Sequence, residues 1–483
     1  MLAIARMSNH RVTTAITRTC AIVSHMSTSA TSSLDQPVLF QSNGYTRTFV
    51  LNRAKKLNTL NTATVDTLRH QVDLWSKSDL CQIIIGTGSG RAFCAGGDVT
   101  SVLRDALDAG TRPKALDFFR KEFELVYVLS QLPKPYVAVL DGITMGGGVG
   151  LSINAPFRVA TEKTVFAMPE TKIGFFPDVG ASYFLPRLEG EVGTYLALTS
   201  ETLVGREVFE HGLATHYITS RSVPSLLAHL AALENPSFSQ INRTIEELHI
   251  ERQPNEAHSK LTGNVREALD AAFCHDTVEE IIQSLEASTE APDTRVRLWA
   301  KQTLETLHMR SPTSLKVTLS AQRRGREMSL LEALQMEIGI AAAYCSDASQ
   351  DFCTGITAAL IDKIQGRPAW SPDNVSDVSS ETVHRFFSEQ SPYRSLAHKL
   401  SVDNLPGRNF DFMTYSLPSE SELLDSIQPA CKKGPVTIPD LLYSLDSICK
   451  RKFGIAEKIL DIVHRKCHVT TSNGTATATW KGE

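Results

Sequence analysis

From Val38 onward the apolar positions switch repeatedly between two spacings. VLFQS and TRTFVLN alternate on either side of the turn dipeptide Asn43-Gly44 and predict two strands. After Asn61 the spacing lengthens, and Val65, Leu68, Val72 and Trp75 fall on one face of a helix. The continuous apolar runs CQIIIGTG and YVAVLDG predict short buried strands, and FRVATEKTVFAMPE holds two more. Helical segments lie between these groups, so the first half is an α/β domain. Residues 236 to 300 show few β-branched runs and no obvious strand. SLLEALQMEIGIAAAYC and DFCTGITAALIDK then give helical periods before the loop RPAWSPDN, so the second half is mainly helical. Beyond about Gln390 the chain is Ser-rich and Pro-punctuated. Helical spacing resumes in IPDLLYSLDSICKRKFGIAEKILDIVHRKC, which predicts a separate C-terminal unit with a polar tail after Val469.

Composition narrows the function classes. At ~150 residues per unit, the 483 residues amount to about three structural units. Lys and Arg number 49 against 53 Asp and Glu, which gives no globally basic surface and no indication of DNA binding. No apolar run reaches the roughly 18 residues of a membrane span. The nine cysteines are scattered without a C-x-x-C pair, which points to a reducing compartment, with no disulfide framework and no metal cluster. The first acidic residue is Asp35, and the stretch before it carries Arg6, Arg11 and Arg18 among many Ser and Thr. Residues 1–34 therefore read as a mitochondrial transit peptide.

Two glycine-rich segments follow strands. Gly86-Thr87-Gly88-Ser89-Gly90-Arg91 begins like a dinucleotide fingerprint, yet Arg91 takes the third glycine position. Gly146 to Gly150 lacks the Lys-Ser/Thr that completes a phosphate-binding loop. Nucleotide chemistry is therefore poorly supported. FCAGGDVTSVL and GITMGGGVGLSIN share another arrangement, a strand running into glycines and then a helix start. Backbone N–H groups there lack intrahelical partners and sit at the positive end of the helix dipole. Two of them converging from different loops would stabilise an oxyanion, and glycine lets an acyl group approach the backbone. Close packing of a helix on a sheet is the alternative reading of either cluster alone.

The runs AFCAGGDV, KPYVAVLDGITMGGGVGLS and FAMPETKIGFFPDVGASYFLPRL, with SPTSLKVTL and DFCTGITAALIDK, resemble the crotonase superfamily from about Val38 to about Phe387. Within it they look like the 3-hydroxyisobutyryl-CoA hydrolases. The resemblance implies an α/β fold with a crotonase-like β/α spiral core over 35–235 and a mainly helical second half over 236–388. A helical C-terminal extension follows over 389–483. It also implies an acyl-CoA thioester substrate, no separate cofactor because coenzyme A is part of that substrate, and a place in valine breakdown in the mitochondrial matrix. Matched residue by residue, the oxyanion-hole amides fall on Gly97 and Gly147, and the hydrolases' carboxylates on Glu170 and Asp178. A substrate-binding glutamate falls on Glu122. Arg53, Lys55 and Lys56 match the loop that approaches coenzyme A, with Ala54 replacing the usual proline. The second catalytic glutamate of the hydratases would fall on Gly150, which disfavours an enoyl-CoA hydratase or isomerase.

Thioester hydrolysis needs a nucleophile, or a base for water, and a sink for the developing oxyanion. Glu170, after Met168-Pro169 at a strand-to-helix junction, can attack the carbonyl or activate water. Asp178 can hold the substrate's 3-hydroxyl and assist proton transfer. Their structural alternatives are an exposed turn acid and a helix N-cap. Glu122 emerges from periodicity: Phe118, Glu122, Leu125 and Leu129 share a face, whereas Asp117, Lys121 and Glu124 form the polar one. A buried acid needs a partner, so Glu122 marks either a substrate contact or a hydrogen bond to a nearby loop. The same subfamily includes subunits of mitochondrial small ribosomal particles. In that alternative Lys432, Lys433, Lys450, Arg451, Lys452 and Lys458 of the extension would form an assembly surface. A homo-oligomer is the remaining partner expectation.

Overall fold

The runs flanking Asn43-Gly44 form β1 (Val38–Asn43) and β2 (Thr46–Leu51), an antiparallel pair at the edge of a six-stranded sheet. The computed structural model describes residues 36–482 apart from 255, 403–410, 449–451 and 473, so the expected leader over 1–34 lies outside the described residues. Next in the sheet come β3 (Ile83–Gly88), β5 (Tyr136–Leu140), β7 (Phe157–Ala160) and β10 (His216–Tyr217), all parallel to β2. Ile84 enters the main core, while Ile83 and Ile85 meet Leu226, Leu230, Ile241 and Ile245 on the opposite face. Both faces are covered, which is why these strands read as unbroken apolar runs.

Between these strands the chain builds a second sheet from β4 (Ala92–Cys94), β6 (Ile143–Met145), β8 (Val165–Ala167) and β9 (Leu203–Val204). Its first three strands are parallel, and β9 closes the edge antiparallel to β8. Each turn of the resulting spiral places one strand in each sheet. Helices α1 (Thr62–Lys77), α2 (Val99–Leu107), α3 (Arg112–Ser130) and α4 (Gly147–Ser152) fill the connections. The stripe of Val65, Leu68, Val72 and Trp75 is the buried face of α1, whose N-terminus is capped by Asn61. Among the described residues no helix is long and apolar enough to cross a membrane.

After β10 the chain is mainly helical. It includes α6 (Pro312–Gly325) and α7 (Leu330–Tyr344), and the earlier short α5 (Ala181–Phe184) packs against both. DFCTGITAALIDK forms a helix over Asp351–Ile356 that widens into a π-helical turn at Thr357–Ile361. On α3 the expected polar position Glu124 is buried: it pairs with Arg120 and accepts the N–H of Ser401 at 2.9 Å. A segment from far along the chain covers that face.

Tyr393, Leu400, Phe412 and Leu417 belong to the main core, and a separate core begins only at Leu423. Arg158 on β7 holds the intervening segment. Fully buried, its guanidinium donates to the carbonyls of Ala155, Gly212, Leu213 and Phe412 and to the Ser416 hydroxyl, at 2.7 to 3.2 Å.

The extension proper comprises α8 (Glu420–Lys433), α9 (Ile438–Ile448) and α10 (Ile455–Lys466). Where a polar tail was expected after Val469, β12 (Cys467–Ser472) and β13 (Thr475–Trp480) pair as a hairpin, and β11 (Val436–Thr437) joins the far side of β13. The tail expectation fails because Cys467 and Ala478 are buried against α8 to α10. Nor is the basic set a free surface. Lys452 pairs with Glu246 and Lys458 with Glu189 across the seam to the main body, while Lys432 and Lys433 stay exposed. Lys450 and Arg451 lie outside the described residues.

Candidate active site

Strand register assembles the site. Cys94 pairs with Thr144 and Met145 with Ala167, so β4, β6 and β8 end side by side. The chain leaving those ends carries Gly96-Gly97, Gly146-Gly147 and Met168-Pro169-Glu170 respectively, at the carboxyl edge where parallel sheets present ligand sites. The first loop is tied to residues 57–60: Leu60 donates to the Gly96 carbonyl and Asp98 to the Leu60 carbonyl, both at 2.8 Å. In that parallel bridge Gly97 directs its own N–H away from Leu60. Gly147 is the first residue of α4, so its N–H has no intrahelical acceptor. A Cβ on Gly96 would lie 3.5 Å from the Gly147 nitrogen, which puts the two loops in contact.

Two carboxylates approach the same glycines. A Cβ on Gly147 would collide with Glu122 Oε1, and one on Gly146 would stand 2.9 Å from Glu170 Oε1. Glu122, Glu170 and Asp178 are only 2%, 7% and 6% exposed. Glu122 Oε1 and Glu170 Oε2 have no hydrogen-bond partner among the described residues. Glu170 is therefore not the exposed turn acid of the alternative reading, and one Glu122 oxygen is left without a loop bond. Burial pushes Glu122 up to about 8, and Glu170 likewise stands at about 8, raised first by burial and then by the charges of Glu122 and Glu337. Asp178 is held well above the usual carboxylate range by burial first, then by Glu170, Glu122 and Glu337. Such a cluster holds protons at neutral pH, ready for exchange.

Asp178 precedes two residues in left-handed conformation, Val179 at φ +53° and Gly180 at φ +90°. For a β-branched residue this backbone costs on the order of 1–3 kcal/mol. Gly180, not Asp178, is the N-cap of α5. The amides of Gly180 and Ser182 are taken by Glu337 of α7, a buried acid that the sequence reading did not single out. Asp178 is thus spared from capping.

Arg53 turns inward, bonding the Thr59 carbonyl and pairing with Asp98 at 3.3 Å, while Lys55 and Lys56 are exposed on a 3-10 turn at Ala54–Lys56. Without a proline, this loop is fixed by Asn58, which donates to the carbonyls of Ser89 and Ala92 at 3.0 and 2.8 Å. A cavity of about 410 Å³ beside Gly97 is lined by Leu60, Asp98, Lys114 and Phe118.

A two-sheet spiral with paired amide-bearing glycine loops at one strand edge is the frame of the crotonase class. The chain belongs to the enoyl-CoA hydratase/isomerase family, whose model matches residues 46–387. It is 41% identical over 468 residues to the small ribosomal subunit protein mS47 of Neurospora crassa, covering 93% of this chain and 89% of that one. It is also 41% identical over 367 residues to the mitochondrial 3-hydroxyisobutyryl-CoA hydrolase of Gallus gallus, covering 76% of this chain and 92% of that one. Among solved structures, a carnitinyl-CoA dehydratase from Mycobacterium thermoresistibile matches with a TM-score of 0.66 at 31% identity, over 77% of this chain and 100% of that one.

Proposed function

We propose that this chain is an acyl-CoA thioester hydrolase acting on 3-hydroxyisobutyryl-CoA in the mitochondrial matrix, as a step of valine breakdown. The observation that carries the reading is the placement of buried Glu170 and Glu122 against Gly146 and Gly147, with Asp178 within reach of both acids' charges and position 150 closed to any side chain. In this mechanism the thioester carbonyl oxygen lies between the N–H groups of Gly97 and Gly147, which stabilise the oxyanion as the carbonyl is attacked. Glu170 supplies the attacking carboxylate or takes a proton from water. Asp178 holds the 3-hydroxyl and passes a proton, and Glu122 bounds the acyl pocket. The thiolate of coenzyme A is a good leaving group, and in this reading Lys55 and Lys56, exposed on their turn, meet its phosphates. No cofactor beyond the substrate takes part. The test is free-thiol release by the purified protein from a panel of acyl-CoA thioesters. Preferential cleavage of 3-hydroxyisobutyryl-CoA is expected, and no release from any of them would overturn the reading.

A second role is favoured by one observation. The match to the ribosomal protein spans 93% of the chain, so it must run through most of the extension beyond residue 389, whereas the family model ends at 387. On this reading the chain is also a component of the mitochondrial small ribosomal subunit, with the extension in the contact. Co-sedimentation with that subunit through a salt-containing sucrose gradient is expected. Migration as free protein would remove this role without touching the first.

A further inference from the structure

Four carboxyl groups are buried around the site, and the hydrolase mechanism uses three. The fourth, Glu337 on α7, has no ion-pair partner among the described residues and is fully buried. Its Oε2 accepts the N–H of Gly180 at 2.7 Å, and its Oε1 accepts both the N–H of Ser182 at 2.9 Å and the Ser182 hydroxyl. Helix caps ordinarily come from the cap residue or from three residues into the helix. Here the cap position is a glycine, and the carboxylate arrives from a helix more than 150 residues away in sequence. Its two arms span the point where Val179 and Gly180 take successive positive φ values, an arrangement that persists only when its surroundings hold it. Asp178 immediately precedes that point, and its carbonyl accepts the N–H of Ala181 at 2.9 Å.

We infer that Glu337 is a positioning residue: by gripping Gly180 and Ser182 it fixes the turn that aims Asp178 at the substrate. This rests on the hydrolase reading above. The geometry calls for a carboxylate, because both oxygens must accept. A glutamine would set an NH2 donor against one of the two backbone N–H groups, and the turn would lose one anchor.

The test is a double-mutant cycle on the full chain with 3-hydroxyisobutyryl-CoA as substrate. E337Q should lower kcat about 10- to 100-fold, the scale of a misplaced group, with KM changed less than about twofold. It should add little in a D178N background, because two changes acting through one residue are not additive. S182A removes one donor to Glu337 and should show a smaller loss with the same dependence on Asp178, so the cycle can be read even if E337Q does not fold. Wild-type kcat in folded E337Q, or full multiplication of either loss with that of D178N, would overturn the inference alone. A wild-type protein that releases no thiol would overturn the hydrolase reading and this inference with it.

Discussion

A Cβ placed on Gly150 would stand 2.6 Å from the Cβ of Val179 and 3.0 Å from Cγ2 of Val126. The first turn of α4 is thus packed directly against the left-handed turn that carries Asp178. The position where a hydratase of this family would place a second glutamate is filled by a neighbour.

From that contact, Gly150→Ala should destabilise the protein by about 1–3 kcal/mol through overpacking and should also depress hydrolysis, since the tightest contact is with Val179 and relieving it displaces the turn that carries Asp178. Gly150→Glu should not create hydration of a short enoyl-CoA. Denaturant midpoints and a spectrophotometric hydration assay check both. Rapid hydration by either the parent or Gly150→Glu would contradict the steric argument.

Glu170→Gln should abolish thioester cleavage, by about a thousandfold or more, while coenzyme A binding survives. It should also stabilise the fold in a pH-dependent way. The Glu170 carboxyl is held at about 8 in the folded chain, against about 4.3 in an unfolded one. A group raised in this way leaves stability intact below its unfolded pKa and removes it progressively as pH rises through the folded value. The variant should therefore melt higher than the parent at pH 8, on the order of 2 °C, with the gap closing toward pH 5. Melting curves across that range decide it, and a gap independent of pH would count against the burial argument.

If cleavage needs Glu170 ionised, kcat should climb from neutral into alkaline pH instead of levelling off above pH 5. Glu170 is faced by Glu122, Asp178 and Glu337, all acids. Removing one negative neighbour favours ionisation, so Glu122→Gln should move the rise to lower pH. The pH profiles of the two proteins give the sign, and a move to higher pH would refute the assignment.

Cutting the chain at residue 389 should leave insoluble protein, whereas cutting after Pro418 should leave a folded, active one. The shorter piece loses the Phe412 carbonyl and the Ser416 hydroxyl from Arg158, a buried cation with no ion-pair partner among the described residues, which costs on the order of 3 kcal/mol. It also loses the apolar cover of Leu400, Phe412 and Leu417. The longer piece ends before Leu423, where the second core starts. Soluble expression and thiol-release activity of the two truncations are the readouts, and an active protein ending at 389 would show that Arg158 can be satisfied by water.

Periodicity exposed what repeats locally. The α1 stripe, the two glycine loops and the lone acid at Glu122 were all legible, because each is a break or a rhythm within about a dozen residues. Glu337 carries the same signature as Glu122, an acid among Ala333, Leu334, Ile338 and Ala341, but the opposite side of α7 offers only Glu332 and Gln335 beside Leu331 and Met336, too weak a polar face to set it off. The hairpin of β12 and β13 was missed although its threonine-rich runs flank Asn473-Gly474, a strong turn signal, because the runs are polar and their burial is supplied by α8 to α10. Where the second core begins could not be read at all. It depends on Arg158, whose partners near 412 and 416 share no local pattern with it.

That cation also dictates an order of events. Arg158 sits on β7, next to the edge strand of the six-stranded sheet, yet two of its five acceptors arrive with residues 412 and 416, more than 250 positions later. While the chain is being made or threaded into a compartment from its N-terminus, every residue of the acid cluster and both glycine loops is present long before the strand beneath them can be closed without an unsatisfied charge. The catalytic half therefore stays incomplete until the segment leading into the extension has arrived, and a ribosome stalled before residue 412 would carry a hydrolase sequence without a finished hydrolase.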